Sequence, residues 1–506
     1  MTGRQFLGVI NQGTTGTQFV VFDREMPVAE AFTEVDRLID GHDRVEYDPE
    51  DLWTSTLDAV QRGLRRADKD PEDLDGLGLA TQRQTTIVWE RDTGRPIGNA
   101  IGWQDRHTVG GLATLDENAV ETIRTRTGLI PDPYFAAPKL TGLLDADEAR
   151  RRRAESGELL FGTVDSWLVY NLTERHVTDV TNAAQTMLFD IHSRTWDDAL
   201  LSLFDVPRPM LPDVRPSSDP DGFGRTDPDG VLSAEIPVTG VLGDQQASLV
   251  GQAGFDPGDA KVTYGSGNFF LQNTGIDPVQ TNNGLLTTIW FQQAGEKPLY
   301  ALEGPVFTTG AVLERLCDLG FFDDPERITR LSRSVGSPDG VFVVPEFDDF
   351  GTAGWGPSGR ASLLGVGRSA RREHVARAAV ESIAFGTRAA VEAAASAADV
   401  EHDQLNVDGG AIYDDEFARM QATLIGTPLV RSTVTQTAAL GAAVAAGLAL
   451  GVWESPTRMR ELRTDEETFR PEGGEADAVD RRYRDWRNVV DNVRRLQDRQ
   501  TNENSR

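Results

Sequence analysis

Two glycine-rich turns carry the clearest chemical potential in the chain. The apolar run 6–10 leads into Asn11-Gln12-Gly13-Thr14-Thr15-Gly16-Thr17, and Val262-Thr263-Tyr264 leads into Gly265-Ser266-Gly267. Backbone N–H groups and hydroxyls in such turns can hold phosphate oxygens, because no bulky side chain blocks their approach. An ordinary P-loop is excluded by its lysine, which must follow a glycine: Lys69, Lys139, Lys261 and Lys297 follow Asp68, Pro138, Ala260 and Glu296. A nucleotide would therefore be held by another fold. The single cysteine, Cys317, excludes an internal disulfide and a thiolate metal cluster, and the six histidines show no HExxH spacing for zinc.

The elements that must position these turns follow from periodicity. Each turn lies between two apolar runs, and the two strand–turn–strand units stand about half a chain apart, which predicts a duplicated architecture. Residues 52–64 repeat Leu52, Trp53, Leu57, Val60 and Leu64 at helical spacing, and Leu77-Gly78-Leu79-Ala80 reads as a buried strand. Residues 375–394 form another helical stripe. Leu405-Asn406-Val407 reads as a strand entering Asp408-Gly409-Gly410, with a helix over 414–424. A last helix over 479–496 carries Val479, Tyr483, Trp486, Val490 and Val493 on one face.

At 506 residues the chain exceeds one core, so two domains are expected, 1–252 and 253–497, with a disordered tail over 498–506. The boundary falls in 251–259, which carries Gly254, Pro257 and Gly258. A net charge of −30 repels phosphate backbones and anionic membranes, so nucleic acid is not an expected partner. The acid excess, with four lysines among 50 basic residues, suits a salt-loaded cytoplasm. No basic-plus-apolar leader opens the sequence. The uncharged stretch 432–453 is alanine- and glycine-rich and polar at its start, so it reads as a closely packed buried helix rather than an integral membrane segment. The run Arg150 to Arg153 lies among acids and reads as a charge-laced surface helix.

Assembled in order, Asn11-Gln12-Gly13-Thr14-Thr15, Thr81-Gln82-Arg83-Gln84-Thr85-Thr86, Trp103-Gln104, Asp132-Pro133-Tyr134, Gly162-Thr163-Val164-Asp165-Ser166-Trp167, Gly243-Asp244-Gln245-Gln246, Tyr264-Gly265-Ser266-Gly267 and Asp408-Gly409-Gly410 resemble the glycerol kinases, within the FGGY carbohydrate kinases. The stretch 361–381 resembles a signature of that family. A second signature region, 134–145, keeps Lys139 but has Gly142 where an aromatic is usual.

The resemblance implies an α/β fold: a two-lobed actin-like ATPase (ribonuclease H-like) with a duplicated core and an interdomain cleft. It implies ATP and Mg2+ as cofactors, a small polyol as partner, and transfer of the ATP γ-phosphoryl group to a terminal hydroxyl, giving glycerol 3-phosphate from glycerol. It leaves room for a homo-oligomer. Asp244 matches the catalytic base and a magnesium-orienting carboxylate. Arg83, Gln84, Tyr134, Asp244 and Gln245 match positions that grip polyol hydroxyls, and Trp103 and Phe269 match those facing its carbons. Taken singly, these aromatics would read as core. Thr14, Thr15 and Gly16 match one phosphate turn, with Gln18 beside it, and Ser266 and Gly267 match the other. Gly310, Glu314, Gly410 and Asp414 match the adenosine side. A helix over the small residues 438–447 is expected to pack closely beneath this nucleotide side.

Several residues depart from the family pattern. Asn11 stands where an aspartate helps hold magnesium, Gln84 replaces a glutamate and Gln18 an arginine; Ser266 for threonine and Asp414 for asparagine are milder. Two alternatives accompany the leading expectation: a kinase for another small polyol or sugar, suggested by Gln84, and an impaired nucleotide- or polyol-binding paralogue, suggested by Asn11 and Gln18.

Overall fold

The computed structural model describes residues 5–24, 26–40, 44–107, 112, 115–265, 267–306, 310–345, 361–456 and 466–504. Two sheets organise it. In the first half, β1 (Phe6–Gln12), β2 (Gly16–Asp23) and β3 (Met26–Glu34) form a meander, followed by helix α1 (Pro49–Ala67), β4 (Leu74–Thr81), β5 (Val238–Gly243) and helix α2 (Asp244–Gly251). The sheet order is β5-β4-β1-β2-β3, with β1, β4 and β5 parallel and the meander antiparallel. In the second half come β6 (Ala260–Tyr264), β7 (Asn268–Gly275), β8 (Leu286–Phe291), β9 (Leu299–Val306), α3 (Gly310–Asp318), α4 (Arg372–Ala398), β10 (Leu405–Asp408), α5 (Asp415–Ile425), β11 (Leu429–Ser432), α6 (Thr437–Ala449), β12 (Glu466–Phe469) and α7 (Ala476–Asn504). Their sheet runs β8-β9-β7-β6-β10-β11-β12. Within it β9-β7-β6-β10-β11 repeats the first sheet's order and directions, antiparallel on one side of the first strand and parallel on the other. The expected duplication is thus a repeat of topology, with each glycine-rich turn closing the first hairpin of its sheet.

Local chemistry accounts for the helices. Asp48 caps α1 by accepting from the Glu50 N–H, Pro49 occupies the first turn, Glu50 and Asp51 face the positive end, and Arg65 and Arg66 close the negative end. Its buried face, Leu52, Ala59, Val60 and Leu64, joins a core with Phe19 and Val21 of β2. The stripe on α7 seats Tyr483, Trp486 and Val490 in the core of the second half. That helix runs to Asn504, so residues 498–504 of the tail expected to be disordered continue it, and 505–506 lie outside the described residues.

The stretch 432–453 splits into the end of β11 and helix α6. α6 lies against α2 and against β5, β4 and β1 of the first sheet, the last of which leads into the first glycine-rich turn. A Cβ on Gly441 would collide with the Ala247 carbonyl, which requires glycine at this approach. Ala439, Ala442 and Ala443 share a core with Leu242 and Ala247, tying the halves together. Among the described residues no helix is long and apolar enough to cross a membrane.

Candidate active site

The parallel strands β4 and β5 end beside each other at Thr81 and Gly243, and both open into the same cleft. Thr81 continues into Gln82, Arg83 and Gln84, with Gln84 in the left-handed region at φ 64°. Gly243 caps α2, which makes Asp244 its first residue. Arg83, Gln84, Trp103, Tyr134, Asp244, Gln245 and Phe269 line one cavity of about 140 Å³, together with Thr14 from the first turn and Gly265 and Gly267 from the second. All seven expected polyol positions are therefore brought together between the two glycine-rich turns.

Charge organises this cavity. The Arg83 guanidinium is buried and donates to both oxygens of Glu303 at 2.7 and 2.9 Å and to the Tyr134 hydroxyl at 3.4 Å. Its Nε lies 3.3 Å from Asp244 Oδ1. Asp244 keeps 28% of its side chain exposed, so its carboxylate is open to a ligand. Burial holds the Tyr134 phenol above its ordinary range, and it stays a neutral donor. Trp103 meets Tyr134 and Phe269 edge to face at 5.9 and 6.1 Å, forming an apolar wall, and its indole N–H donates to Thr14 Oγ1 at 3.1 Å. The wall and the phosphate turn are thereby one unit.

Glu303, Gln185 and Lys261 were not read from sequence as site residues. Each had a signal: Glu303 and Lys261 are lone charges inside apolar strands, and a buried charge needs a partner. Lys261 donates to Thr263 Oγ1 of its own strand at 2.7 Å and to Gln245 Oε1 of α2, in the other half of the chain, at 2.5 Å. Burial pushes its ammonium down to about 8. Gln185 has only its place beside buried threonines and offers no such signal.

On the nucleotide side the outcome is mixed. Thr14 reaches the cavity and Thr15 is exposed on the same turn, while Gly16 opens β2 so close to the Thr33 carbonyl that a Cβ would collide. Gln18 is spent elsewhere: its amide donates to Glu30 Oε2 at 2.9 Å and accepts from Asn11 Nδ2 at 3.3 Å. Asn11 and Gln18, two of the departures noted above, are thus cross-strand partners on β1 and β2. Ser266 lies outside the described residues. Gly310 opens α3 and Glu314 is exposed on it; neither lines the polyol cavity. Gly410 is exposed, and the preceding Gly409, at φ 95°, brings the loop against the Tyr264 carbonyl. Asp414 caps α5 through the Glu416 and Phe417 N–H groups and pairs with Arg333, so its carboxylate is committed to the fold. Asp408 likewise serves as a clasp, accepting from Ser248 of α2 and Thr437 of α6.

Among the described residues no group of three or more His, Cys, Asp or Glu side chains could hold a resident metal. A magnesium ion keeps several waters and takes one or two carboxylates plus phosphate oxygens, so a single exposed carboxylate could serve it. Asp244 could offer such a carboxylate, and Asn11 could offer only an amide.

Behind the cleft, Gly243 N–H donates to Thr181 Oγ1 at 2.9 Å, which donates to buried Asp179 at 3.0 Å, fixing the strand end before Asp244. Asp165 lies beside Asp179, and burial followed by repulsion from Asp179 pushes it up to about 7, against hydroxyl donors from Thr163 and Thr178. A carboxyl with a raised folded pKa contributes stability that is complete below its unfolded value, 3.8, and lost as pH rises through about 7. The parent should therefore be more stable relative to Asp165→Asn at pH 5 than at pH 8. Thermal midpoints of both proteins at the two pH values test this, and a pH-independent difference would remove the shift.

The N-terminal domain of the FGGY family of carbohydrate kinases matches residues 6–251 and its C-terminal domain matches 260–450. The chain is 47% identical to the glycerol kinase of Haloferax volcanii over 97% of its length and 98% of that protein. The chain belongs to the FGGY family of carbohydrate kinases. It is also 44% identical to the glycerol kinase of Thermus brockianus, over 97% of this chain and 99% of that one. Among solved structures, Plasmodium falciparum glycerol kinase with ADP superposes with a TM-score of 0.85 at 30% identity, covering 97% of this chain and 98% of that chain. The two-lobed α/β architecture is that of this kinase family, and the enzyme is a phosphotransferase with an alcohol acceptor.

Proposed function

We propose that this FGGY kinase phosphorylates glycerol with ATP in the cytoplasm, giving glycerol 3-phosphate and ADP, with Asp244 as general base. The observation that carries the reading is convergence: the hairpin turn of each sheet and the exposed carboxylate of Asp244 open onto one small cavity with an apolar wall and fixed polar groups. A three-carbon polyol needs that mixture of donors, acceptors and an apolar face.

In the transfer, the terminal hydroxyl oxygen forms a bond to the γ-phosphorus, its O–H bond breaks, and the bond from phosphorus to the bridging oxygen of ADP breaks. Asp244 takes the proton. Arg83, held by Glu303, orients the polyol hydroxyls, and Gln245 is steadied by Lys261. Trp103 and Phe269 keep water from competing as acceptor. Asp244 would be the carboxylate that helps hold a magnesium ion arriving with the nucleotide, and that ion would supply neutralisation of phosphate charge. We place the lobe boundary at 252/253 and the nucleotide between the hairpin turns and the loop 408–414.

Purified protein assayed with ATP, Mg2+ and a panel of polyols and sugars in concentrated KCl tests the reading. Glycerol should be the acceptor with the highest kcat/KM. Product only from another acceptor, or binding without turnover, would overturn it.

Asn11 gives a separate prediction. Asn11→Asp places one more negative charge near the metal, worth roughly 1 kcal/mol for unit charges 4 Å apart in water, or about fivefold. The magnesium concentration for half-maximal activity should fall by about two- to fivefold, with metal-free ATP affinity unchanged. The aspartate cannot donate to Gln18, so the variant should also lose some thermal stability, recovered by adding Gln18→Arg. Unchanged magnesium dependence would show that position 11 does not sense the ion.

A further inference from the structure

Gln185 lies outside the cavity lining and is fully buried, yet it sits between two residues that matter there. Its Nε2 is 3.0 Å from Glu303 Oε2 and 3.1 Å from Thr288 Oγ1, and its Oε1 accepts from Gln84 Nε2 at 2.7 Å. The direction of this chain can be deduced from one unambiguous end. Arg83 has only donors, so the Glu303 carboxylate that it grips in two places is an acceptor. The end of Gln185 that faces Glu303 must therefore be its NH2. Its carbonyl oxygen must then face Gln84, and Gln84 must turn its own NH2 toward Gln185. The Gln84 side-chain oxygen, Oε1, accepts none of the described hydrogen bonds, and Gln84 lines the cavity.

We propose that Gln185 is a specificity-positioning residue: by fixing the sense of the Gln84 amide it makes Gln84 a hydroxyl acceptor toward the polyol. This rests on the polyol-kinase reading above. Gln84 donates to Gln185 and Gln185 to Glu303, which also accepts from Arg83, so a charge pair on one side of the cavity sets the polarity of a neutral residue on the other. Without Gln185 the Gln84 amide is free to turn over and offer its NH2, and a buried polar group facing the wrong partner costs binding. The same geometry speaks against a simple replacement of Gln84 by glutamate. A carboxylate at 84 would face the Gln185 oxygen, and turning Gln185 around would set that oxygen against Glu303.

The test is a double-mutant cycle with Gln84→Met and Gln185→Met, measuring kcat/KM for glycerol and for propane-1,2-diol and propane-1,3-diol, each lacking one hydroxyl. In the parent one diol should be discriminated against through Gln84. Gln185→Met should reduce that discrimination by about tenfold, to within twofold of Gln84→Met, and the double variant should lose no more. Equal losses on all acceptors with discrimination intact, or multiplicative losses in the double variant, would overturn the proposal. Should Gln185→Met not fold, Gln84→Glu decides: glycerol KM should rise several-fold and be restored by adding Gln185→Lys, a donor-only side chain. A lower KM in Gln84→Glu alone would overturn it. If the parent turns over a different acceptor, the polyol reading fails, and the same cycle run on that acceptor and its deoxy analogues still decides the role of Gln185.

Discussion

Asp244→Asn should lower kcat by about 10²–10⁴-fold, the range contributed by a positioned general base. Asparagine has the same shape and keeps an oxygen that can accept from the Gln245 N–H, as Asp244 Oδ1 does at 2.7 Å. Arg83 stays anchored by Glu303 and Tyr134, so the polyol site survives. Glycerol affinity measured by calorimetry should therefore stay within a few-fold of the parent, while single-turnover phosphorylation nearly disappears. The split between intact binding and lost chemistry separates a base from a residue that only shapes the cavity. Turnover close to that of the parent, under conditions where the chemical step limits the rate, would assign the proton to another group.

Glu303→Leu is expected to cost about 3–5 kcal/mol of unfolding free energy, because it leaves the buried Arg83 guanidinium without its bidentate partner. The remaining charged contact, to Asp244 at 3.3 Å, is to a carboxylate that is open to solvent, and the neutral Tyr134 hydroxyl carries no charge, so neither replaces it. Gln185 would lose an acceptor in the same step. Glycerol KM should rise with the fall in stability, since the guanidinium is no longer held against the cavity. Replacing both partners, as Arg83→Met with Glu303→Leu, should recover a large part of the stability and none of the activity: two apolar side chains remove the uncompensated charge but cannot bind hydroxyls. Denaturant unfolding in concentrated KCl measures both variants. A single variant within about 1 kcal/mol of the parent would show that the pair does not hold the site together.

Much of this site was legible in the sequence because it is written in local patterns. The turns around Thr14 and Gly267, the Gly243-Asp244-Gln245 segment and the helical stripe of 375–394 each depend on residues within one or two elements. The backbone of a glycine turn or the period of an apolar face constrains structure over that distance. Arg83, Gln84, Asp244 and Gln245 came together because they follow the ends of the parallel strands β4 and β5, whose places are set by the sheet, whereas Tyr134 comes from a loop between two helices and only packing brings it to the cavity.

Tertiary structure alone decided which groups face one another across the cleft. Arg83 and Glu303 are 220 residues apart, and nothing in the spacing of either points to the other. Gln84 and Gln185 are separated by 101 residues, Ser248 and Asp408 by 160. Asp414 matched a nucleotide-side position by motif, yet folding gave its carboxylate to the start of α5 and to Arg333. The physical reason is that side-chain type and local period determine what an element is and which face it buries. The partner of a buried polar group is determined by packing two lobes against each other, where desolvation leaves each charge only the neighbour that the fold places within reach.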